Sequence, residues 1–264
     1  MHYENINGVP NFECIEYCKK NKEYVLLIPI INEGDRIIKE LTRAKKNNIS
    51  DYVDIVICDG GSTDGCTDDK TLRKLDVNTL LIKKDTGKQG AQLRMGLWWS
   101  LKRGYKGVIT IDGNNKDSIE DVPAFIQKLE EGYDFIQGSR FINGGRAINT
   151  PLLREIAVRL IHAPIISITA KHRFTDTTNA YRGYSVKYLT ESRVQPFRDI
   201  FMTYELLAYL SVRASQLGFK VCEIPVTRAY PKEGKTPTKI SFFGGNWELL
   251  KILFKNMIGM YNPK

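Results

Sequence analysis

The chain has 264 residues, of which 42% are hydrophobic and 26% charged, with a formal net charge of +9. This balance excludes wholesale disorder and leaves enough chain for a sizeable core, in one large domain or two small ones. The longest apolar run, residues 24–31, is too short to cross a bilayer, and the first twenty residues lack the basic-then-apolar pattern of a signal peptide.

A βα alternation opens with residues 24–31 (YVLLIPII), a buried strand by composition. Residues 33–46 follow with Ile37, Ile38, Leu41 and Ala44 at helical spacing. Residues 52–58 (YVDIVIC) form a second strand that runs into a Gly-Gly-Ser turn. Residues 79–82 are a third strand, followed by a glycine-containing turn and a helix over 89–103. Residues 108–111 are a fourth strand, ending on Asp112. A helix over 118–131, with Ser118 as N-cap and Asp121 in its first turn, leads to a fifth strand at 134–137. Beyond it, the pattern predicts a long helix over 152–171 interrupted by Pro164, a helix over 201–217 and a strand over 220–226. A basic loop at 234–239 and an apolar-basic helix over 241–261 close the chain. The alternation predicts an α/β protein with a mostly parallel sheet covered by helices on both faces. Ligands in such sheets bind beyond the carboxyl ends of the strands. Five cysteines, at 14, 18, 58, 66 and 222, form no CxxC pair, which points to a reducing cytoplasm.

Polar residues collect at those carboxyl ends: Asn32-Glu33, Asp59 to Asp64, and Asp112 to Asp117. The Asp-Gly-Gly-Ser-Thr-Asp run reads equally as a capped turn or as a place where backbone approaches a ligand while Asp59 accepts from a base or ribose hydroxyl. In Asp112-Gly113-Asn114, a carboxylate and an amide two residues apart can reach one Mg²⁺ or Mn²⁺ bridging to substrate phosphates, although an Asp/Asn turn looks the same. No P-loop, no G-x-G-x-x-G after the first strand and no H-E-x-x-H is present, which removes the main support for NTPase, Rossmann dehydrogenase and zincin readings.

Taken in order, Pro29-x-x-Asn32-Glu33, DGGSTDG, KQGAQLRMG from Lys88, IDGNN from Ile111, IQGSRF from Ile136 and TNAYRGYS from Thr178 resemble family 2 glycosyltransferases. Phe201-x-x-Tyr204-Glu205, Leu217-Gly218-Phe219-Lys220 and Glu223-Ile224-Pro225-Val226 extend the resemblance to the branch of dolichyl-phosphate mannose synthase and its polyprenyl-phosphate relatives, over roughly residues 24–250. The resemblance implies a single GT-A domain, with a nucleotide-sugar half over about 22–140 and an acceptor half with the C-terminal helix over about 141–264. It also implies a nucleotide-sugar donor, UDP- or GDP-linked, and metal-dependent transfer with inversion.

Carried over by position, Pro29, Asn32 and Glu33 line the nucleotide pocket, and Asp59 with Gly61 contacts base or ribose. Gln89, Gly113, Lys116 and Lys239 surround the donor, Lys239 from the basic loop. Asp112 and Asn114 hold Mg²⁺ or Mn²⁺. Arg140 and Arg182 face the acceptor and donor phosphates, where a planar guanidinium binds phosphate oxygens in pairs. Glu205 or Asp199 is the base if the acceptor is a hydroxyl, although Glu205 reads equally as a helix cap; a phosphate acceptor needs none.

Three departures stand out. Gly60 replaces a second Asp, Asn114 replaces the last Asp of D-x-D, and Lys116 replaces a Gln. They predict a metal held more weakly, with Lys116 compensating at the diphosphate and Asp117 as a substitute ligand.

The expected function is hexosyl transfer to a polyprenyl phosphate, lipid-linked saccharide or glycan in cell-surface polysaccharide synthesis. The alternatives are a catalytically weakened sugar-nucleotide-binding relative and a nucleotidyltransferase, the latter disfavoured by IPIINEGDR where a Gly-rich basic loop belongs. The segment from Phe242 to Tyr261, with Lys251 and Lys255, suits either packing on protein, including a second copy of the chain, or peripheral contact with the inner face of the cytoplasmic membrane. Nucleic acid is the weakest of the anionic partners that +9 allows, because the basic residues are dispersed.

Overall fold

The structure, a computed structural model, describes residues 1–231 and 244–263. In chain order the elements are β1 (His2–Tyr3), β2 (Phe12–Glu16), β3 (Tyr24–Ile30), α1 (Asp35–Lys46), β4 (Val53–Asp59), α2 (Asp69–Lys74) and β5 (Val77–Lys83). There follow α3 (Gln89–Lys102), β6 (Gly107–Thr110), α4 (Val122–Glu130), β7 (Phe135–Ser139), β8 (Arg146–Ile148), α5 (Leu152–Ala157) and α6 (Ala163–Ala170). The last are β9 (Arg182–Ser185), α7 (Val186–Leu189), α8 (Glu205–Gln216), β10 (Val221–Pro225), β11 (Thr227–Ala229) and α9 (Gly244–Met257). Lys239, Phe242 and the basic loop lie outside the described residues.

One nine-stranded sheet runs β1-β2-β5-β4-β3-β6-β9-β7-β10. The pairs β5/β4, β4/β3, β3/β6 and β7/β10 are parallel. All seven residues of β3 and all seven of β4 are buried, as expected where helices cover both faces. Strand alternation sorts their side chains. Val25, Leu27, Val56 and Cys58 point to one face, beneath α3, α6, α8 and α9. Leu26, Ile28, Ile30, Ile55 and Ile57 point to the other, beneath α1, α2 and α4. The mostly parallel sheet clothed by helices is the architecture that the alternation predicts.

β9 inserts antiparallel between β6 and β7 and joins the two parallel blocks. It lies inside the TNAYRGYS motif, and its four residues, Arg-Gly-Tyr-Ser, carry too little periodicity to read as a strand. β1 and β2 extend the far edge antiparallel.

Two local expectations need refining. The long helix is interrupted in its α-helical bonding just ahead of Pro164, but the chain does not leave the helical path. Its hydrogen bonding widens into a π-helical turn over Val158–His162, and α6 opens with Pro164 in its first turn. There the missing proline N–H and the steric demand of the ring are absorbed without a break. Ser118 does not cap α4, because a 3-10 turn at Ile119–Asp121 intervenes. Its hydroxyl donates to Asp121 and accepts from the Thr227 N–H at 2.9 Å.

Candidate functional site

The site lies where β3 and β6 part. Their pairing ends at Leu27 and Thr110, so the last residues of β3, Pro29 among them, have no β6 neighbour. On the other side of β3, Gln92 of α3 donates to the carbonyls of Ile30 at 2.6 Å and Cys58 at 2.8 Å, at the ends of β3 and β4. Gly113 rests on the β3 side of the gap between β3 and β6. A Cβ there would stand 2.4 Å from Ile30 Cγ2 and 3.0 Å from Ile28 Cγ2, so the turn following β6 approaches the sheet as closely as backbone allows.

Two of the predicted groups form one laced pair of loops. Asp59 is buried and accepts from the Gly61 N–H at 3.1 Å, the Ser62 N–H at 3.0 Å and the Ser62 hydroxyl at 2.6 Å. Asn32, at φ 49°, accepts from the Thr63 N–H at 2.8 Å, while its own N–H donates to the Ser62 hydroxyl at 2.9 Å. Glu33 pairs with Arg36 at 2.8 Å. Pro29, Asn32, Glu33, Asp59 and Gly61 therefore meet at the ends of adjacent strands, which are in register at Pro29 and Cys58.

Asp112 is the hub of the second group. Its Oδ1 accepts from Gln89 Nε2 at 2.9 Å, and its Oδ2 takes Arg228 Nη2 at 3.1 Å and faces Asn114 Nδ2 at 3.4 Å. Burial opposes its charge, but Arg228, Lys116 and the Gln89 hydrogen bond outweigh it and hold the carboxyl below the usual range. Arg228 also bonds Asp117, which has a fully buried side chain. Lys116 is buried, and burial together with Arg228 brings its ammonium down to about 8. Both Lys116 and Arg228 stand over the ring of Tyr230, whose hydroxyl accepts from Arg154 Nη1 at 3.0 Å. Burial would push the Tyr230 hydroxyl up, yet Arg228 and Arg154 draw it down to about 8. The neighbourhood thus pairs two carboxylates with three cations and suits a polyanionic ligand such as a diphosphate.

The donor set fits a hard dication in part. Asp112 offers a carboxylate, and the Asn114 side-chain oxygen is buried without a hydrogen-bond partner. Among the described residues no cluster of three or more His, Cys, Asp or Glu forms a metal cage. Two protein oxygens completed by phosphate oxygens and water are the usual arrangement for Mg²⁺ at a nucleotide.

Three other predicted residues are engaged with protein. Arg140 makes a bidentate pair with Asp176 and also reaches Thr178 Oγ1 at 3.0 Å. Arg182 spends its guanidinium on the carbonyls of Thr177 at 2.9 Å, Asn179 at 3.0 Å and Leu207. Neither side chain is open to solvent. Glu205 accepts from the Thr203 N–H at 2.6 Å and the Thr203 hydroxyl at 2.8 Å, tying the entry of α8. Asp199 is exposed.

Sequence reasoning missed Arg228, Tyr230 and Glu40. Glu40 is fully buried on α1 and accepts from the Asn115 N–H at 2.7 Å, fixing the DGNN turn from below. Burial pushes its carboxyl well above the usual range. A signal was present: Glu40 falls among Ile37, Leu41 and Ala44 on the apolar stripe of the helix, where an acid is out of place unless partnered.

No model of a known protein family matches the chain. It is 26% identical over 214 residues to polyprenol monophosphomannose synthase of Mycolicibacterium smegmatis, covering 77% of this chain and 76% of that protein. It is 24% identical over 203 residues to undecaprenyl-phosphate mannosyltransferase of Micrococcus luteus, covering 76% and 81%. Among solved structures, glucosyl-3-phosphoglycerate synthase of Mycobacterium tuberculosis superposes in its complex with Mn²⁺, UDP and glucosyl-3-phosphoglycerate with a TM-score of 0.60 at 16% identity, over 89% of this chain and 77% of that one. In its UDP complex the TM-score is 0.64 at 15% identity, over 89% and 79%. These likenesses show the same fold.

Proposed function

We propose that this chain, a GT-A glycosyltransferase by its fold and the company of its relatives, moves a sugar from a nucleoside-diphosphate donor to a polyprenyl-phosphate or lipid-linked acceptor, with inversion at the anomeric carbon. The observation that carries the reading is the setting of Asp112. An ionised carboxylate stands at the carboxyl end of the sheet, oriented by Gln89, beside a partnerless amide oxygen and the two cations Arg228 and Lys116. The loops of Asn32 and Asp59 to Ser62 supply the neighbouring floor for base and ribose.

Asp112 and Asn114 would hold Mg²⁺ or Mn²⁺, which supplies charge stabilisation to the departing nucleoside diphosphate. Arg228 and Lys116 contribute fixed positive charge to the same developing anion. A phosphate acceptor is already nucleophilic near neutral pH, so it needs positioning more than deprotonation. The engagement of Glu205 with Thr203 agrees with an acceptor that requires no base. Arg140 and Arg182 then support the acceptor half as positioning residues, through Asp176 and through the carbonyls beside Asn179.

The surface supports a lipid acceptor. Leu152, Leu153, Leu160 and Ile168 on the α5–α6 segment are exposed, as are Trp247, Phe254 and Met260 on and after α9. α9 packs against α6, with Lys251 over the Trp247 ring. Such a composition is what peripheral contact with an anionic membrane would use. Among the described residues no helix is long and apolar enough to cross a membrane.

The test is a thermal-shift screen of UDP-, GDP-, CDP- and dTDP-sugars with Mn²⁺, followed by transfer of the stabilising sugar to a short-chain polyprenyl phosphate. Stabilisation and a glycosyl-phosphate product are expected. Binding of a sugar nucleotide without transfer to any acceptor would favour a silent binding relative.

A further inference from the structure

We propose that Arg228 is a built-in counter-cation for Asp112, which keeps a divalent ion off that carboxylate until a nucleoside diphosphate arrives. The inference deepens the functional reading and rests on its assignment of Asp112 to the metal.

The placement of Arg228 comes from the backbone. β11 is stitched to the very segment that follows the Asp112 turn. Ala229 N–H donates to the Lys116 carbonyl at 2.8 Å, Ser118 N–H to the Thr227 carbonyl at 2.9 Å, and Asp117 and Arg228 form an antiparallel bridge. The guanidinium is therefore delivered between two carboxylates, one nitrogen on Asp117 and the other 3.1 Å from Asp112 Oδ2, with its side chain 7% exposed. Asp117 anchors it, and Asp112 is the partner that faces the crevice.

A dication approaching Asp112 alone must share the carboxylate with a guanidinium and with the nearby Lys116, so like-charge repulsion offsets much of the attraction. A diphosphate reverses that balance, because its oxygens offer Arg228 and Lys116 anionic partners and complete the coordination of the metal. Nucleotide and cation then strengthen each other through one side chain, and the coupling acts in both directions.

Mn²⁺ alone is titrated into nucleotide-free protein and followed by the paramagnetic resonance of the unbound ion. UDP and GDP are then titrated calorimetrically with Mn²⁺ and with EDTA. Arg228→Gln is expected to tighten nucleotide-free Mn²⁺ binding by about tenfold or more and to reduce the mutual enhancement between Mn²⁺ and the nucleotide. Lys116→Gln removes a neighbouring charge while keeping the Arg228–Asp112 pair, and should change Mn²⁺ affinity several-fold less. Should Arg228→Gln fail to fold, Arg228→Lys keeps a cation for Asp117, cannot span both acids, and is expected to show the same change in smaller measure. Folded Arg228 variants that bind Mn²⁺ as weakly as the parent, or a Lys116→Gln effect of equal size, overturn the proposal and leave the metal assignment standing. No Mn²⁺ binding by any form, with or without UDP or GDP, overturns both.

Discussion

Arg140 and Asp176 form a bidentate pair inside the protein, Nε to Oδ2 at 2.6 Å and Nη2 to Oδ1 at 2.8 Å, with their side chains 2% and 0% exposed. The pair ties the end of β7 to the loop before β9. Removing one partner strands a charge, so Arg140→Ala should cost about 3–5 kcal/mol in urea unfolding. The double variant Arg140→Met/Asp176→Leu should recover most of that loss. If its transfer activity recovers too, Arg140 serves position alone; a stable but inactive double variant assigns it direct work on the acceptor.

On the proposed reading, Asp112→Ala should lower transfer by at least about 100-fold, since it takes away the carboxylate assigned to the cation at the donor. Arg228 keeps Asp117 as partner, so the circular-dichroism melt should stay close to that of the parent. Full activity in this variant would refute the site.

Gly113→Ala places a methyl group where Ile30 and Ile28 already stand. The expected cost is about 1–3 kcal/mol for overpacking, with a raised KM for donor as the Asp112 turn lifts from the sheet. Ile30→Ala in the same chain removes the clashing carbon and should restore part of the KM.

His162 shares a 2.7 Å hydrogen bond with Thr177. Burial, aided by Arg182, lowers its imidazole from 6.5 to about 4. The folded state therefore favours the neutral ring. This contribution is fully present above pH 6.5 and is lost as pH falls from there toward 4. Denaturation at pH 7.5, 6 and 4.5 should show a decline that His162→Gln makes shallower; parallel curves for the two proteins would contradict it.

Leu160→Asp and Phe254→Asp change exposed positions on the α5–α6 segment and on α9. Each should reduce co-sedimentation with anionic phospholipid vesicles while leaving the melting temperature within a few degrees. Equal sedimentation of variants and parent would remove the membrane contact from the functional reading.

The parallel strands were legible because continuous burial writes itself as apolar runs such as YVLLIPI, and the loops behind them because Asp, Asn and Gly mark strand ends. Arg228 was not legible, since only the pairing of β11 with the segment around Asp117, some 110 residues upstream, brings it to Asp112. Conversely, Arg140 and Arg182 carry motif positions, yet the groups that engage them come from the loop before β9 and, for Arg182, also from Leu207 of α8, a meeting that no local pattern records.

The antiparallel insertion of β9 has a mechanical consequence. Arg182 is in register with Thr110 of β6 on one side and Gln137 of β7 on the other, so one strand belongs to both parallel blocks. A sheet without a seam offers no hinge about which the two blocks could swing. Adjustment to a bound ligand therefore falls to the connections at the strand ends, above a continuous floor that keeps the spacing between the two blocks constant.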